Sequence, residues 1–187
     1  MKKFISIILT MAMMLALFAG CGKAKPAETA PAADLPGSAL EILETVWADY
    51  TDDEKFPTFG GDGLNMVDGA PGAYTDMEGL ESQLLVPADK QADVAEIASL
   101  FHGMMLNNFT CGVFHVTGNA QTFADAMVES IQNNQWMCGM PETMNVSIIG
   151  GEYVLMAFGV GDAMNPFTAK LAEAYPDAVT VANESIA

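Results

Sequence analysis

Residues Met144 to Val160, MNVSIIGGEYVLMAFGV, restrict the fold more than any other stretch of the chain. Met144, Val146 and Ile148 alternate with Asn145 and Ser147, the two-residue period of a strand. Gly150-Gly151 then supplies two residues that take positive φ readily, as a tight hairpin turn demands, and a fully apolar second strand follows. The pair reads as the central hairpin of a sheet.

The surrounding segments supply further elements. Ser38-Ala39-Leu40-Glu41 has the form of a helix capping box, with Leu43, Val46, Trp47 and Tyr50 at helical spacing behind it. Residues 51–79 carry six glycines, two prolines and seven acidic groups without a period, so a long loop is expected, pinned by Phe56, Phe59 and Tyr74. Its spaced acids suggest calcium, yet Leu64 stands where the second ligand of a calcium loop would be, and a solvated loop is the better reading. Leu80 to Val86 reads as a strand ending at Pro87. From about Asp89 a helix is expected, with Val94, Ile97, Ala98, Phe101, Met104 and Met105 on one face. Phe109 to Val116 is β-rich, and Asn119 caps a helix whose Phe123, Met127 and Ile131 form a stripe. Asn165-Pro166 reads as the cap and first position of the next helix, with Phe167, Leu171 and Ala174 inward and Pro176 as its stop. Ala178 to Ala182 gives a last strand.

From Phe109 onward this order is β-α-β-β-α-β, the ferredoxin-like split unit, preceded by an extra strand and helix. The expected class is α+β: a two-layer sandwich of an antiparallel or mixed sheet with helices on one face.

Three regions divide the chain. Residues 1–20 begin with Lys2 and Lys3 and continue apolar to Phe18, the layout of a signal peptide, too short for a permanent span of ~20 residues. Ala19-Gly20-Cys21 resembles the lipobox of bacterial lipoproteins, with Phe18 where that family usually has Leu. The resemblance implies that Cys21 is lipidated and becomes the new N-terminus. Residues 21–37 then form a flexible Ala/Pro-rich tether, and 38–187 one α+β domain. The expected location is the outer face of the cell membrane, reached through the lipid anchor.

Charge narrows the partners. All seven basic residues are lysines, and without the first twenty residues five remain against twenty-four acidic groups, a net charge of −19. Nucleic acid binding needs a basic footprint that this chain lacks. Anionic lipid headgroups repel such a domain, so the membrane is met through the anchor alone.

With Cys21 assigned to lipid, Cys111 and Cys138 are the two thiols left for a disulfide or redox chemistry. Gln135 to Thr143, QWMCGMPET, is close to a thioredoxin W-C-G-P-C site but has no second cysteine, and Cys138 follows a helix instead of opening one. The negative end of a helix dipole raises a thiol pKa, the wrong direction for a nucleophile. A structural segment is expected instead: Trp136 and Met137 fold over the sheet end, Gly139 and Pro141 set the turn, and Cys138 is buried. In a ferredoxin-like unit the strands carrying Cys111 and leaving Cys138 start about 10 Å apart, so a disulfide would need the loop to lean inward. Met137, Cys138, Met140 and Met144 form a candidate soft-metal set for Cu(I), though methionine is also a common core filler. His102 and His115 read as packing histidines. No G-x-S-x-G, phosphate loop or paired-histidine metal motif is present, so no catalytic residue and no cofactor is assigned.

The runs LLVPAD, FHGMM, NFTCGVFHV, QWMCGMPE and YVLMAFG, between about Gly79 and Ala182, resemble a group of uncharacterised lipoproteins of Gram-positive bacteria. The resemblance implies a lipobox, a tether and one small α/β domain of unknown function, some members being labelled bacteriocin transport accessory proteins. A non-enzymatic, lipid-anchored extracytoplasmic accessory or binding domain is therefore expected, with partner or small ligand undefined. Its alternatives are a thioredoxin-like redox accessory for secretion and a Cu(I)-binding lipoprotein.

Overall fold

The hairpin sits where the sequence places it. In a computed structural model that describes residues 36–186, β6 (Thr143–Ile149) and β7 (Tyr153–Gly159) pair antiparallel, from Thr143 opposite Gly159 to Ile149 opposite Tyr153. Gly150 and Gly151 take φ of 61° and 81° in the turn. The expected signal peptide, the expected lipidation site Cys21 and the expected tether as far as residue 35 lie outside the described residues.

Four helices and eight strands make up the described part: α1 (Ala39–Ala48), β1 (Thr58–Gly60), β2 (Val67–Asp68), β3 (Gly72–Ala73), α2 (Leu80–Gln83), β4 (Val94–His102), β5 (Phe109–Val116), α3 (Ala120–Gln132), β6, β7, α4 (Gly161–Ala174) and β8 (Val179–Ser185). The strands form one antiparallel sheet in the order β2-β1-β4-β5-β7-β6-β8, with β3 also against β4. Mixed α/β architecture around an antiparallel sheet is as expected.

Element order from β5 onward is also β-α-β-β-α-β, but β8 pairs with β6, whereas in a ferredoxin-like sheet the last strand lies beside the first. The edge of β5 that such a strand would use is occupied by β4. The helices also differ from a single layer. Phe114, Val146, Val154 and Met156 meet α2 and α3 on one face, while Cys111, Val113, Leu155 and Ala157 meet α1 and α4 on the other. A sheet apolar on both sides must be covered on both sides, and helices accordingly pack on each.

Three readings before β5 change. Residues 94–102 form strand β4, not a helix: Ile97 and Phe101 serve one core, Ala98 and Leu100 the other, so burial on both faces hides the two-residue period. Leu80 to Val86 is the short helix α2 with a turn, because Leu80 and Leu84, one helical turn apart, both enter the α3-side core. Leu85 then takes φ of 55°, the conformation usually given to a glycine after a helix. The loop 51–79 holds three short strands; Gly60 and Gly72 meet so closely that a Cβ on Gly60 would lie 2.1 Å from the Gly72 nitrogen.

Both expected caps form. Ser38 Oγ accepts from Glu41 N at 3.0 Å, and Asn119 Oδ1 from Thr122 N at 2.8 Å. Helix α4, however, starts four residues before Asn165, with Pro166 inside it. Glu142 Oε2 accepts from Gly161 N at 2.7 Å and so places a carboxylate at the positive end of α4.

Candidate functional site

Two loops meet at the end of the sheet where β4 stops and β5 and β6 begin. In the first, Pro57 O accepts from Gly103 N at 2.7 Å. His102 Nδ1 accepts from Met104 N at 3.1 Å and Met105 N at 3.4 Å. The His102 ring stacks on Phe56 with centroids 5.5 Å apart. A 3₁₀ turn, Leu106–Asn108, completes the loop.

Asn107 joins this loop to the second. Its Nδ2 donates to Met137 O at 2.8 Å and Gly139 O at 2.6 Å. Trp136 packs edge-on against Phe158 at 4.9 Å between centroids, as the expected fold over the sheet end requires. Cys138 and Gly139 have φ of 62° and 116°, and the first is uncommon for a residue with a Cβ. A Cβ on Gly139 would lie 3.6 Å from Met105 Sδ, which places that thioether beside the Cys138 turn.

The result is an exposed apolar crest. Met104 is 84% exposed, Met137 79% and Met140 52%, with Met105 and Leu106 exposed between them. Next to Gly103 opens a cleft of about 470 Å³ walled by Trp47, Phe56, Phe59 and Met66, with Lys55 at its side. Lys55 Nζ lies 6.0 Å from the centre of the Trp47 ring.

The sequence-derived residues divide differently from expectation. Cys138 is exposed, not buried, because its backbone turns outward at positive φ. Met137 points to solvent while only Trp136 covers the sheet. Met144 belongs to the α3-side core and is separated from the other members of the soft-metal set. Cys111 lies in the core under α1 and α4, where burial raises its thiol pKa well above the usual range. Both thiols are free, so no disulfide joins them. Among the described residues no three His, Cys, Asp or Glu side chains converge as a metal site. His115 stacks on Tyr153 at 4.8 Å and lies 3.8 Å from Glu152, a packing role as expected.

The sequence reading places Met104 and Met105 on a helix face and gives Asn107 no role. The signal was present in Gly103 followed by Asn107-Asn108, a turn composition between two β-rich runs. In the acidic loop, Asp62 is a buried acceptor of backbone N–H groups instead of a cation ligand. Compared with protein-family models, curated proteins and solved structures, the chain matches none.

Proposed function

We propose that this chain is a lipid-anchored, extracytoplasmic binding module that engages a protein partner through the methionine crest and the adjoining aromatic cleft. The carrying observation is that Asn107 holds together two loops exposing Met104, Met105, Leu106, Met137 and Met140. Clustered exposed apolar side chains on a soluble domain favour association, and methionine adapts to varied partner surfaces. The cleft beside them suits an inserted apolar side chain from the partner. The chain's excess of carboxylates favours a partner whose rim is neutral or basic. The Ala19-Gly20-Cys21 lipobox supports the anchored location.

The test places a photoreactive residue at Met104, and separately at exposed Gln121 on α3, in the membrane-borne protein. One discrete conjugate from position 104, absent from 121 and lost in a Met137→Glu background, is the expected result. Equal conjugation at both positions, or none at either, removes the crest as the contact surface.

A soft-metal reading is second, favoured by Met105 Sδ lying beside the turn that exposes Cys138. Titration of the reduced chain with Cu(I) against a chelator decides it: binding must weaken in both Cys138→Ser and Met105→Leu. The dithiol reading has less support, since Cys111 is buried and its burial favours the protonated thiol.

A further inference from the structure

Strand β6 sends Asn145 and Ser147 toward the face covered by α4. Two polar side chains in such a place are costly unless hydrogen bonded. Asn145 is 2% exposed and Ser147 1%. Ser147 Oγ donates to Asn145 Oδ1 at 2.9 Å, which occupies the carbonyl end of that amide. The Nδ2 end makes no hydrogen bond to another described residue and keeps access to solvent.

That amide lines a hollow. Thr168 and Leu171 of α4 stand on one side, Thr180 and Asn183 of β8 on the other, and the space between is about 250 Å³. Beyond Thr168 and Asn183 lies a second hollow of about 340 Å³, reaching Thr143, Asn165 and Ser185. The two share Thr168 and Asn183 and form a groove between α4 and the last strand of the sheet.

We infer that this groove is a binding site for a neutral sugar, with the Asn145 amide as the donor at its floor that orients it. The lining consists mainly of amides and hydroxyls, each able to donate or accept, as each sugar hydroxyl can. The Asn145 Nδ2 protons can donate to a sugar oxygen, and Ser147 Oγ and Thr168 Oγ1 have lone pairs for sugar protons. Leu171, Ala172, Pro176 and Ala178 give an apolar wall for the C–H face of a ring. The one charged lining residue, Glu184, already accepts from Gln132 Nε2 at 3.1 Å. An anionic ligand is disfavoured by the chain's net charge of −17, and a cation finds no paired carboxylates in the groove. A peptide added as a strand would use the edge of β8 that no described strand pairs, outside the groove, and would not engage Asn145.

The ¹⁵N-labelled full chain in detergent is titrated with triacetylchitotriose, cellotriose and trialanine, following side-chain amide and backbone resonances. At least one trisaccharide is expected to give saturable shifts of the Asn145 Nδ2 protons and of Thr168, with affinity in roughly the millimolar range. Thr168 is half-buried on α4, so Thr168→Val keeps the fold and is expected to weaken binding by about threefold or more. Gln121→Ala on α3 leaves it unchanged. The inference is overturned if neither sugar gives a saturable shift at about 20 mM. Shifts confined to β8 with trialanine alone, or sugar binding indifferent to Thr168→Val, overturn it equally.

Discussion

Asp62 holds Thr75 through two hydrogen bonds to one carboxylate oxygen, from the main-chain N–H and from the hydroxyl, the latter at 2.8 Å. Asp76 N donates to the same oxygen at 3.0 Å, while Leu64 N and Asn65 N donate to the other at 2.9 and 3.1 Å. The carboxylate is thus the staple of residues 61–76, a segment whose glycines and short strands provide little core of their own. Asp62→Ala removes a charged acceptor from several donors at once and should cost about 3 kcal/mol. The denaturant midpoint at pH 7 measures it, and a loss below about 0.5 kcal/mol would mean the segment is held elsewhere.

The same residue gives a pH dependence. Burial alone would raise the Asp62 pKa, but the hydrogen bonds from Thr75, Leu64 and Asn65 outweigh it and bring it down to about 2. An unfolded aspartate titrates near ~3.9, so the native state favours the ionised form. The stabilisation is complete above about pH 4 and is lost as pH falls toward 2. The stability gap between wild type and Asp62→Asn should therefore narrow across that window. A gap that is constant from pH 5 to 2 would show that the native carboxyl is not depressed.

At the hairpin, Gly150 and Gly151 have φ of 61° and 81°, and a Cβ on Gly151 meets nothing within 4 Å. Any penalty for a side chain at Gly151 is consequently backbone strain, without a steric clash. Replacing both with Val should cost about 1–3 kcal/mol, because β-branched residues resist the left-handed region. Gly63 also has open space but no positive φ, so Gly63→Ala is the control and should stay within about 0.5 kcal/mol. Denaturation with an unchanged slope is the readout; equal effects would refute the strain argument.

What the sequence made legible was local. Ser38 and Asn119 act as caps, Gly150-Gly151 as a turn and Phe123, Met127 and Ile131 as a helix stripe, because each is decided by neighbours within a few residues. Residues 94–102 were misassigned because Ile97 and Phe101 face one core while Ala98 and Leu100 face the other, which erases the period that separates strand from helix. The pairing of β8 with β6 was hidden for the same reason, since it depends on β4 occupying the edge of β5. Cys138 and Met137 could not be placed from composition, as their exposure follows from Asn107, thirty residues away from Met137, binding the turn. Asn145 and Ser147 alternate with the apolar residues of the strand, and helices are expected on one face only; α4 covers the polar side, incompletely, and leaves the groove.

Thiol chemistry distinguishes the two internal cysteines. Cys138 is exposed and Cys111 is fully buried, its thiol pKa pushed up by burial. Iodoacetamide should label Cys138 in the native chain and Cys111 only when denaturant is present, as peptide mapping by mass spectrometry would show. Labelling of Cys111 under native conditions would mean that the layer of α1 and α4 over the sheet opens readily.

The methionines offer the sharpest separation of packing from function. Met144 is completely buried and contacts the α3-side core, so Met144→Ala should cost about 2–5 kcal/mol through lost burial and a cavity. Met104 and Met137 are mostly exposed, and their side chains give the fold little; the double change Met104→Glu, Met137→Glu should alter stability by less than about 0.5 kcal/mol. The Asn107 bonds reach main-chain oxygens of Met137 and Gly139, so the loops stay joined in that variant. Its denaturation midpoint should match wild type while partner conjugation from a photoreactive residue placed at exposed Met140 disappears. If the double variant unfolds more easily by an amount comparable to Met144→Ala, the crest contributes to the core, and its exposure no longer argues for a partner.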